Sequence, residues 1–404
     1  MIGILLLQTI AITGATVHPV SGPRLENATV LIRNGRIAAV GSNVTVPSDA
    51  TRIDAAGKWV TPGLIDGASQ LGLTEISAVQ GTNEATLRDD EIAAAFNVAE
   101  GINPASALIP VTRIEGVTTT VAVPGGNDAL IRGQAVLIDL DGETVERMIA
   151  KSPVAMVVNL NEDAKDAGGG SRAGVAARLR RVLDDAREYA TRRNDYRRDQ
   201  MQELAAPEAD LEALQPVLRG ELPVVALANR RSDIATALRI AREYRLRLIL
   251  AGGAEAWMIA DRIAAADVPV LVQPLDNIPS YDALGIRYEN AALLATAGVK
   301  VILMETDTHN ARNLRQQAGN AVAYGMSWDQ ALRAITATPA EVFGVARDYG
   351  TLEPGKVANV VVWSGDPFEF STAVEHVFIR GREIPLRSRQ TELLERYRTL
   401  PPKY

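Results

Sequence analysis

The feature that most constrains the fold is a long middle region, residues 61–345, in which strand-like and helix-like stretches alternate. Amphipathic stretches such as 232–245 and 253–266 separate several short apolar runs that have the length and composition of buried strands. This alternation predicts an α/β fold with a parallel sheet and helical crossovers. Eight such strands predict a (β/α)8 TIM-type barrel, whose functional side chains lie at the carboxyl ends of the strands. The predicted strands are 62–68, 117–123, 134–139, 154–160, 223–229, 247–252, 269–274 and 300–306.

Both ends of the chain are β-rich instead. Residues 28–42 alternate around Asn34 and Gly35, a strong hairpin signal because both turn positions favour positive φ. The C-terminal stretches 350–367 and 373–384 have the same alternation and turn chemistry. We therefore predict a small composite β-sandwich domain built from both ends of the chain. The predicted boundaries are 8–60 and 346–387 for the composite domain, 61–345 for the barrel, and 388–404 for a C-terminal tail.

A predicted insertion in the barrel, residues 171–215, is long, helical and charged, with Arg alternating with Asp and Glu. A helix of this composition usually presents a solvated face, and the alternative is an oligomer contact. We expect the chain to associate, either with itself or with a related subunit.

The supply of ligand residues limits the metal chemistry that this chain can perform. The 404-residue sequence contains no Cys and three His, namely His18, His309 and His376. Thiolate metal sites, disulfides and cysteine nucleophiles are therefore excluded. A zinc hydrolase that uses mostly imidazole ligands cannot be assembled from three histidines. His18 and His376 fall in the β-rich ends, where we assign them structural or surface roles.

Charge and hydropathy exclude two classes of partner. The chain has 42 basic and 49 acidic residues, so we expect no nucleic-acid partner. No stretch reaches about 18 uninterrupted apolar residues, so we expect no membrane span. The apolar start Met1–Leu7 lacks the basic region of a secretory signal. It predicts an extra piece of strand, or alternatively the remnant of an export leader, which would place the protein in the periplasm or outside the cell rather than in the cytoplasm.

The segment Val60–Leu73, VTPGLIDGASQLGL, resembles the first barrel strand of the amidohydrolase superfamily, in its imidazolonepropionase-like branch. In that family a PGxID-x-H-x-H pattern places two metal-binding histidines. Ala68 and Gln70 stand at those positions here. Ala68 has no ligand atom, and the neutral amide of Gln70 suits hard cations better than zinc. The stretch GTLEPGKVANVVVW at 350–363 resembles a C-terminal signature of the family, so the resemblance covers nearly the whole chain.

The resemblance implies three further ligand positions, a lysine on strand 4 and histidines that end strands 5 and 6. Val157, Leu227 and Ala251 stand at these positions. Because a transition metal needs three or four ligands fixed at about 2 Å, these replacements imply that the metal centre is lost. We therefore expect no cofactor, and no metal ligand at the degenerate positions Ala68, Gln70, Val157, Leu227 and Ala251.

One acidic position of the family is retained at the end of strand 8. Asp307 matches the aspartate that normally accepts a proton from metal-bound water, and His309 lies just beyond it. Both are candidate catalytic acid–base residues. The alternative role of Asp307 is a strand-end carboxylate that binds backbone amides or Arg312.

Polar residues near the ends of the predicted strands indicate a ligand pocket at the barrel mouth, because side chains converge there. The candidate pocket residues are Ser69, Gln70, Asn159, Asn229, Gln273 and Glu305.

Three functions are compatible with this pattern. The first, which we favour, is a pseudo-hydrolase without its own metal centre, a non-catalytic subunit paired with itself or with an active amidohydrolase. The second is a hydrolase that acts on a carbon–nitrogen bond of a small amide or peptide-like substrate through an atypical site with a hard cation. The third is a protein that binds a small amide or peptide-like ligand at the barrel mouth.

Overall fold

The computed structural model describes residues 9–88, 90–126, 128–399 and 401, and the apolar start Met1–Leu7 lies outside these residues. The strands form two separate eight-stranded sheets. In chain order they are β1 (Ile10–Val17), β2 (Leu25–Arg33), β3 (Arg36–Gly41), β4 (Thr51–Asp54), β5 (Trp59–Pro62), β6 (Leu64–Ser69), β7 (Val117–Ala122), β8 (Ile131–Asp139), β9 (Ile149–Asn159), β10 (Val224–Ala228), β11 (Leu248–Gly252), β12 (Val270–Val272), β13 (Val301–Leu303), β14 (Val360–Trp363), β15 (Val374–Ile379) and β16 (Arg382–Ile384).

Most helices lie between the strands of the second sheet. In chain order they are α1 (Leu108–Arg113), α2 (Val145–Met148), α3 (Arg172–Tyr196), α4 (Glu208–Ala213), α5 (Gln215–Leu218), α6 (Arg231–Tyr244), α7 (Ala260–Ala265), α8 (Asn290–Thr296), α9 (Leu314–Ala323), α10 (Trp328–Ala334), α11 (Ala337–Val342) and α12 (Arg389–Tyr397). Short 3-10 helices cover Gln80–Thr82, Val98–Gly101, Glu162–Gly168, Ala256–Ile259 and Ala311–Asn313. None of the helices in the described residues is long and apolar enough to span a bilayer.

The first sheet joins the two ends of the chain. Its order is β16-β15-β14-β5-β1-β2-β3, with β4 beside β1. β14 pairs antiparallel with β5, which places Val361 opposite Thr61. Asn34 and Gly35 form the two-residue turn between β2 and β3, with φ of 53° and 74°. The predicted hairpin and the composite nature of this unit are therefore confirmed, while the exact domain boundaries stay predictions.

The second sheet forms a nearly closed barrel with the strand order β6 to β13. At the seam, β6 and β13 approach closely because Gly67 has no side chain. A Cβ atom on Gly67 would lie 2.5 Å from Cγ2 of Ile302. The carboxylate of Asp66 spans the same seam, where its Oδ1 accepts the backbone N–H of Glu305 at 3.1 Å. These two features hold the ends of the curved sheet together.

The eight predicted barrel strands are all present, but one of them runs in the opposite direction to the sequence-based prediction. β8 pairs antiparallel with both β7 and β9. The connections 123–130 and 140–148 explain this, since a parallel pair needs a crossover of a dozen or more residues. The second connection contains only the single-turn helix α2. The amino end of β8 therefore lies at the same end of the barrel as the carboxyl ends of its neighbours.

The interior of the barrel is filled by apolar side chains from the strands, among them Ile65, Val121, Leu137, Val225 and Leu271. Each buried side chain of this size contributes about 1.5–3 kcal/mol relative to an exposed one. The barrel below its mouth is therefore a packed core, as expected for this architecture.

The predicted insertion 171–215 consists of α3, α4 and the start of α5. One face of α3 joins the core through Val175, Leu179, Val182 and Tyr189. Its opposite face is charged, and several of its arginines pair with acids in the same helix or in α4. The insertion thus packs as part of the barrel shell, with a solvated face as the composition predicts.

Candidate functional site

A cavity of about 490 Å³ opens at the barrel mouth. It is lined by residues at or just beyond the carboxyl ends of the seven parallel strands of the barrel and by the amino end of the reversed strand β8. Its volume lies within the range typical of small-molecule sites, which is roughly 300–1,000 Å³. The barrel mouth therefore has the size and position of a small-molecule binding site.

The inner wall of this cavity is apolar. Ala68, Val157, Leu227 and Ala251 all line it, together with the neutral amide of Gln70. These residues come from four different strands or strand ends, β6, β9, β10 and β11. The structure thus brings together all five positions that the sequence comparison with the family pattern singled out.

Three of the six predicted pocket residues line the cavity, namely Gln70, Asn229 and Gln273. The other three are buried behind its wall. Ser69 shares a hydrogen bond of 2.9 Å with Thr120. The side-chain oxygen of Asn159 accepts the backbone N–H of Asn161 at 3.1 Å, so that Asn159 shapes the strand end.

Glu305 holds Gln273 in position beside the cavity. Gln273 donates to Oε1 of Glu305 at 2.9 Å, and Gln317 donates to Oε2 at 2.7 Å. The backbone N–H of Asp307 adds a third bond at 3.3 Å. Burial raises the pKa of Glu305, while the hydrogen bond from Gln317 opposes this shift. Both carboxylate oxygens are therefore engaged in structural hydrogen bonds.

The candidate catalytic residues Asp307 and His309 are exposed and lie outside the residues that line the cavity. Asp307 accepts the backbone N–H of His309 at 3.1 Å and the side-chain amide of Asn310 at 3.0 Å. Arg312, the alternative partner, donates instead to Gln390. This geometry matches a strand-end carboxylate that caps a turn, and a catalytic role for either residue stays a prediction.

A charged residue missed by the sequence analysis, Arg132, lines the cavity. Its Nε atom is fully enclosed and has no hydrogen-bond partner within the described part of the chain. Burial lowers the pKa of Arg132 to about 10, with Asp163 and Asp128 opposing this shift. The prediction of a parallel β8 placed the wrong end of this strand at the mouth. The two short connections around β8 were the signal that could have revealed Arg132.

One side of the cavity is formed by the 273–289 segment between β12 and α8, which contributes Ile278, Ser280 and Ile286 to the lining. The indole N–H of Trp257 donates to the carbonyl of Gly285 at 2.8 Å. This hydrogen bond connects the segment to the 3-10 helix Ala256–Ile259 that follows β11.

Arg172 at the start of α3 connects the insertion to this segment. Its guanidinium group pairs with Asp282 at 2.5 Å, with Glu162 at 2.6 Å and with Asp233 at 2.9 Å. These pairs raise the pKa of Arg172 against the opposing effect of burial. The insertion thus supports the 273–289 segment through a single cation.

Within the described residues, no group of three or more His, Asp or Glu side chains is placed to hold a metal ion. The acids at the mouth, Asp163 and Asp276, line the cavity but lie on different segments at its exposed rim. The chemistry available at this site is therefore that of two arginines (Arg132 and Arg287), neutral amides, rim carboxylates and an apolar wall.

Comparison with known proteins identifies the family. The family model described as the amidohydrolase family matches residues 227–384. The crystal structure of an amidohydrolase from Thermotoga maritima MSB8 is 30% identical with a TM-score of 0.85, and the match covers 94% of this chain and all of that one. This chain belongs to the amidohydrolase family. Because the match covers 94% of this chain, the family assignment includes the composite sheet as well as the barrel.

Two curated proteins are similar to this amidohydrolase-family protein over very different spans. Amidohydrolase tasK of Hapsidospora irregularis is 25% identical over 388 residues, which is 87% of this chain and 39% of that protein. An imidazolonepropionase of Vibrio cholerae is 54% identical over 41 residues, which is 10% of each chain. The chain therefore spans about two fifths of the first relative and shares only a local segment with the second.

Proposed function

We propose that this amidohydrolase-family protein is a pseudo-hydrolase that binds a small molecule at the barrel mouth without a metal ion. The observation that carries the proposal is the common location of the five positions at which the family pattern has metal ligands. Four of them present apolar side chains to one cavity, and the fifth, Gln70, presents a neutral amide. The four apolar residues are Ala68, Val157, Leu227 and Ala251.

These residues do not fit a transition metal. Zinc, manganese and iron sites in proteins use imidazole, thiolate or carboxylate donors, and zinc ligands lie at about 2 Å from the ion. The apolar side chains supply no donor and occupy the wall where the family ligands would project. Asp307, which matches the remaining acidic position, is engaged in the turn with His309 and Asn310. We therefore assign no reaction step to a metal.

A hydrolase that acts on a carbon–nitrogen bond through an atypical site is the second candidate. The name of the tasK relative and the local similarity to an imidazolonepropionase favour it. Such a site would draw on Gln70, Asn159, Glu305, Asp307 and His309, with a hard cation such as Mg²⁺ or Ca²⁺. However, Glu305 already accepts hydrogen bonds from Gln273, Gln317 and the backbone. These bonds favour a structural role for this buried acid.

An assay of amide hydrolysis separates the two candidates. The purified protein would be incubated with N-acyl amino acids, dipeptides and cyclic amides, with EDTA and with added Zn²⁺, Mn²⁺ or Mg²⁺. We expect no turnover above that of a heat-denatured sample under any condition. Turnover that a divalent cation supports and that Asp307→Ala abolishes would contradict the proposal and establish the hydrolase. The variant Asp348→Ala, which removes an exposed acid of the composite unit, is the matched control.

A further inference from the structure

Arg132 is a cavity-lining cation that makes no ion pair with the described residues. Its enclosed Nε has no hydrogen-bond partner, and Asp163 and Asp128 act on its charge without an ion-pair contact among the described residues. The other arginine of the cavity, Arg287, differs because it pairs with Glu289 at 2.9 Å and lies over the ring of Trp257 at 4.7 Å. A partly buried cation without a direct partner reduces stability, which indicates a role for Arg132 other than folding.

Arg132 lines the cavity, so a ligand there would meet its guanidinium group, although the Nε atom itself is enclosed. It lies near the amino end of β8, which the antiparallel pairing with β9 places opposite Val158 and Val157. Val157 forms part of the apolar wall of the same cavity. An anionic group beside Arg132 would thus be next to apolar surface and partly shielded from water, where a charge-assisted hydrogen bond is stronger than in solvent.

The surrounding charges favour an anion with a single negative charge. Asp163 and Asp276 line the cavity at its exposed rim, so a doubly charged phosphate would meet repulsion from both. A planar carboxylate matches the bidentate geometry of one guanidinium group. The neutral amides of Gln70, Asn229 and Gln273 provide further donors and acceptors on the cavity wall without adding charge.

We infer that the barrel mouth binds a small amphipathic carboxylate, with the carboxylate held by Arg132 and the apolar body against the wall formed by Val157, Leu227 and Ala251. This inference depends on the proposed function, since it assigns a ligand class to the same metal-free cavity. It adds that the ligand carries a negative charge, which the proposed function alone does not specify.

Calorimetric titration in the presence of EDTA tests the inference with three acids and their primary amides as probes. The acids are hexanoate, 4-phenylbutanoate and N-acetylleucine, and each amide has the same body without the charge. We expect at least one acid to bind the wild-type protein roughly 10- to 100-fold more tightly than its amide, which is the usual value of a hydrogen-bonded charge pair. Phenyl phosphate should bind more weakly than that acid.

Variants at Arg132 test whether this residue causes the preference for the acid over its amide. Arg132→Met should remove the preference for the acid and leave the affinity for the amide unchanged within about twofold, because only the charged contact is lost. Arg132→Lys should retain part of the preference, since it keeps the charge but not the bidentate geometry. Arg231→Met, which removes an exposed arginine at the first residue of α6, is the control and should bind like the wild type.

The melting temperature separates a binding defect from a folding defect. Arg132→Met removes a partly buried charge without a direct partner, so its melting temperature without ligand should equal or exceed that of the wild type. If no acid binds more tightly than its amide, or if Arg132→Met weakens acid and amide equally, the inference is wrong. Equal binding of acid and amide would still leave a metal-free binding cavity, whereas metal-dependent turnover would overturn the proposed function itself.

Discussion

Asp66 is a fully buried carboxyl group at the barrel seam. Its Oδ1 accepts the backbone N–H groups of Glu305 and Ala68, and its Oδ2 has no partner within the described residues. Burial raises the pKa of Asp66 well above its ordinary value of 3.8, against the effect of the two backbone hydrogen bonds. The neutral form is therefore favoured in the folded state more than in the unfolded state.

The sign of this shift gives a pH prediction for stability. The contribution from neutral Asp66 is complete below the unfolded pKa of 3.8 and is lost as the pH rises through the higher folded value. Asp66→Asn keeps the acceptor oxygen and cannot ionise, so it should reduce the fall in unfolding free energy above pH 4. Asp66→Ala should cost about 2–4 kcal/mol because two buried N–H groups lose their acceptor. Urea unfolding at several pH values measures both effects, and an unchanged pH profile in Asp66→Asn would contradict this account.

Asp139 provides a second test at the residue scale, at the opposite end of β8 from Arg132. It is fully buried and accepts hydrogen bonds from Tyr349 at 2.9 Å and from Asn359 at 2.9 Å. It also pairs with Arg380 at 2.6 Å, which connects the barrel to the composite sheet. Asp139→Asn should lower the unfolding free energy by about 3 kcal/mol, because it leaves a cation without its partner.

A matched exposed pair is the control for Asp139. Asp348 pairs with Arg36 at 2.8 Å, and their side chains are 39% and 53% exposed. Asp348→Asn should therefore cost about 1 kcal/mol or less. Urea unfolding measures both variants. Equal losses of unfolding free energy in Asp139→Asn and Asp348→Asn would contradict the proposed connection between the barrel and the composite sheet through Asp139.

At the residue scale, the sequence indicated where the five wall positions lie but not which contacts Glu305 makes. The family pattern located Ala68, Gln70, Val157, Leu227 and Ala251, and all five lie on one cavity wall. They lie together because the residues that end parallel strands meet at one end of a barrel, while their loss of metal ligation stays a prediction. The hydrogen bonds that turn Glu305 toward Gln273 depend on Gln317 in α9, a contact that no local pattern contains.

At the scale of elements, the direction of β8 is the feature that sequence reasoning missed. The sequence located the apolar run 134–139 correctly. However, the two-residue alternation of side chains is the same in a parallel and an antiparallel strand, so it does not give the strand direction. Connection length decides between the two, and the connection 123–130 is too short for a helical crossover. The reversal exchanges the ends of the strand, so that Arg132 lies at the mouth and Asp139 at the base.

The contact between α3 and the 273–289 segment gives a prediction for this scale. Arg172 connects α3 to Asp282 on that segment and to Asp233 on α6. Arg172→Gln should therefore loosen the segment, increase proteolytic cleavage between residues 275 and 289, and weaken ligand binding at the mouth. Limited proteolysis with mass-spectrometric mapping of the cleavage sites measures the first effect.

Arg192 on the same helix is the matched control. It pairs with Glu188 and Asp195, both within α3, so it makes no bridge to the cavity wall. Arg192→Gln should leave the cleavage pattern unchanged, since exposed pairs within one helix contribute about 0.3–0.5 kcal/mol. Equal cleavage of the two variants within residues 275–289 would contradict the proposed support by Arg172.

At the scale of the whole molecule, association stays a prediction from the charged insertion 171–215. Sedimentation velocity at micromolar concentration should show a species larger than the 43.2 kDa chain, alone or after mixing with an active amidohydrolase subunit from the same source. A single species of chain mass in both experiments would contradict this prediction. It would leave the binding proposal intact, because the residues that carry that proposal, Arg132 and the apolar wall, belong to this chain.

The central claim is that an amidohydrolase barrel is retained here without the metal that its family pattern implies. Elemental analysis of protein purified without chelators tests this most directly, because the two proposed functions differ first in metal content. We expect zinc, manganese and iron to be far below one equivalent per chain, since the cavity wall supplies apolar side chains and a neutral amide. One tightly held equivalent of any of these metals would contradict the claim and make the hydrolase the favoured function.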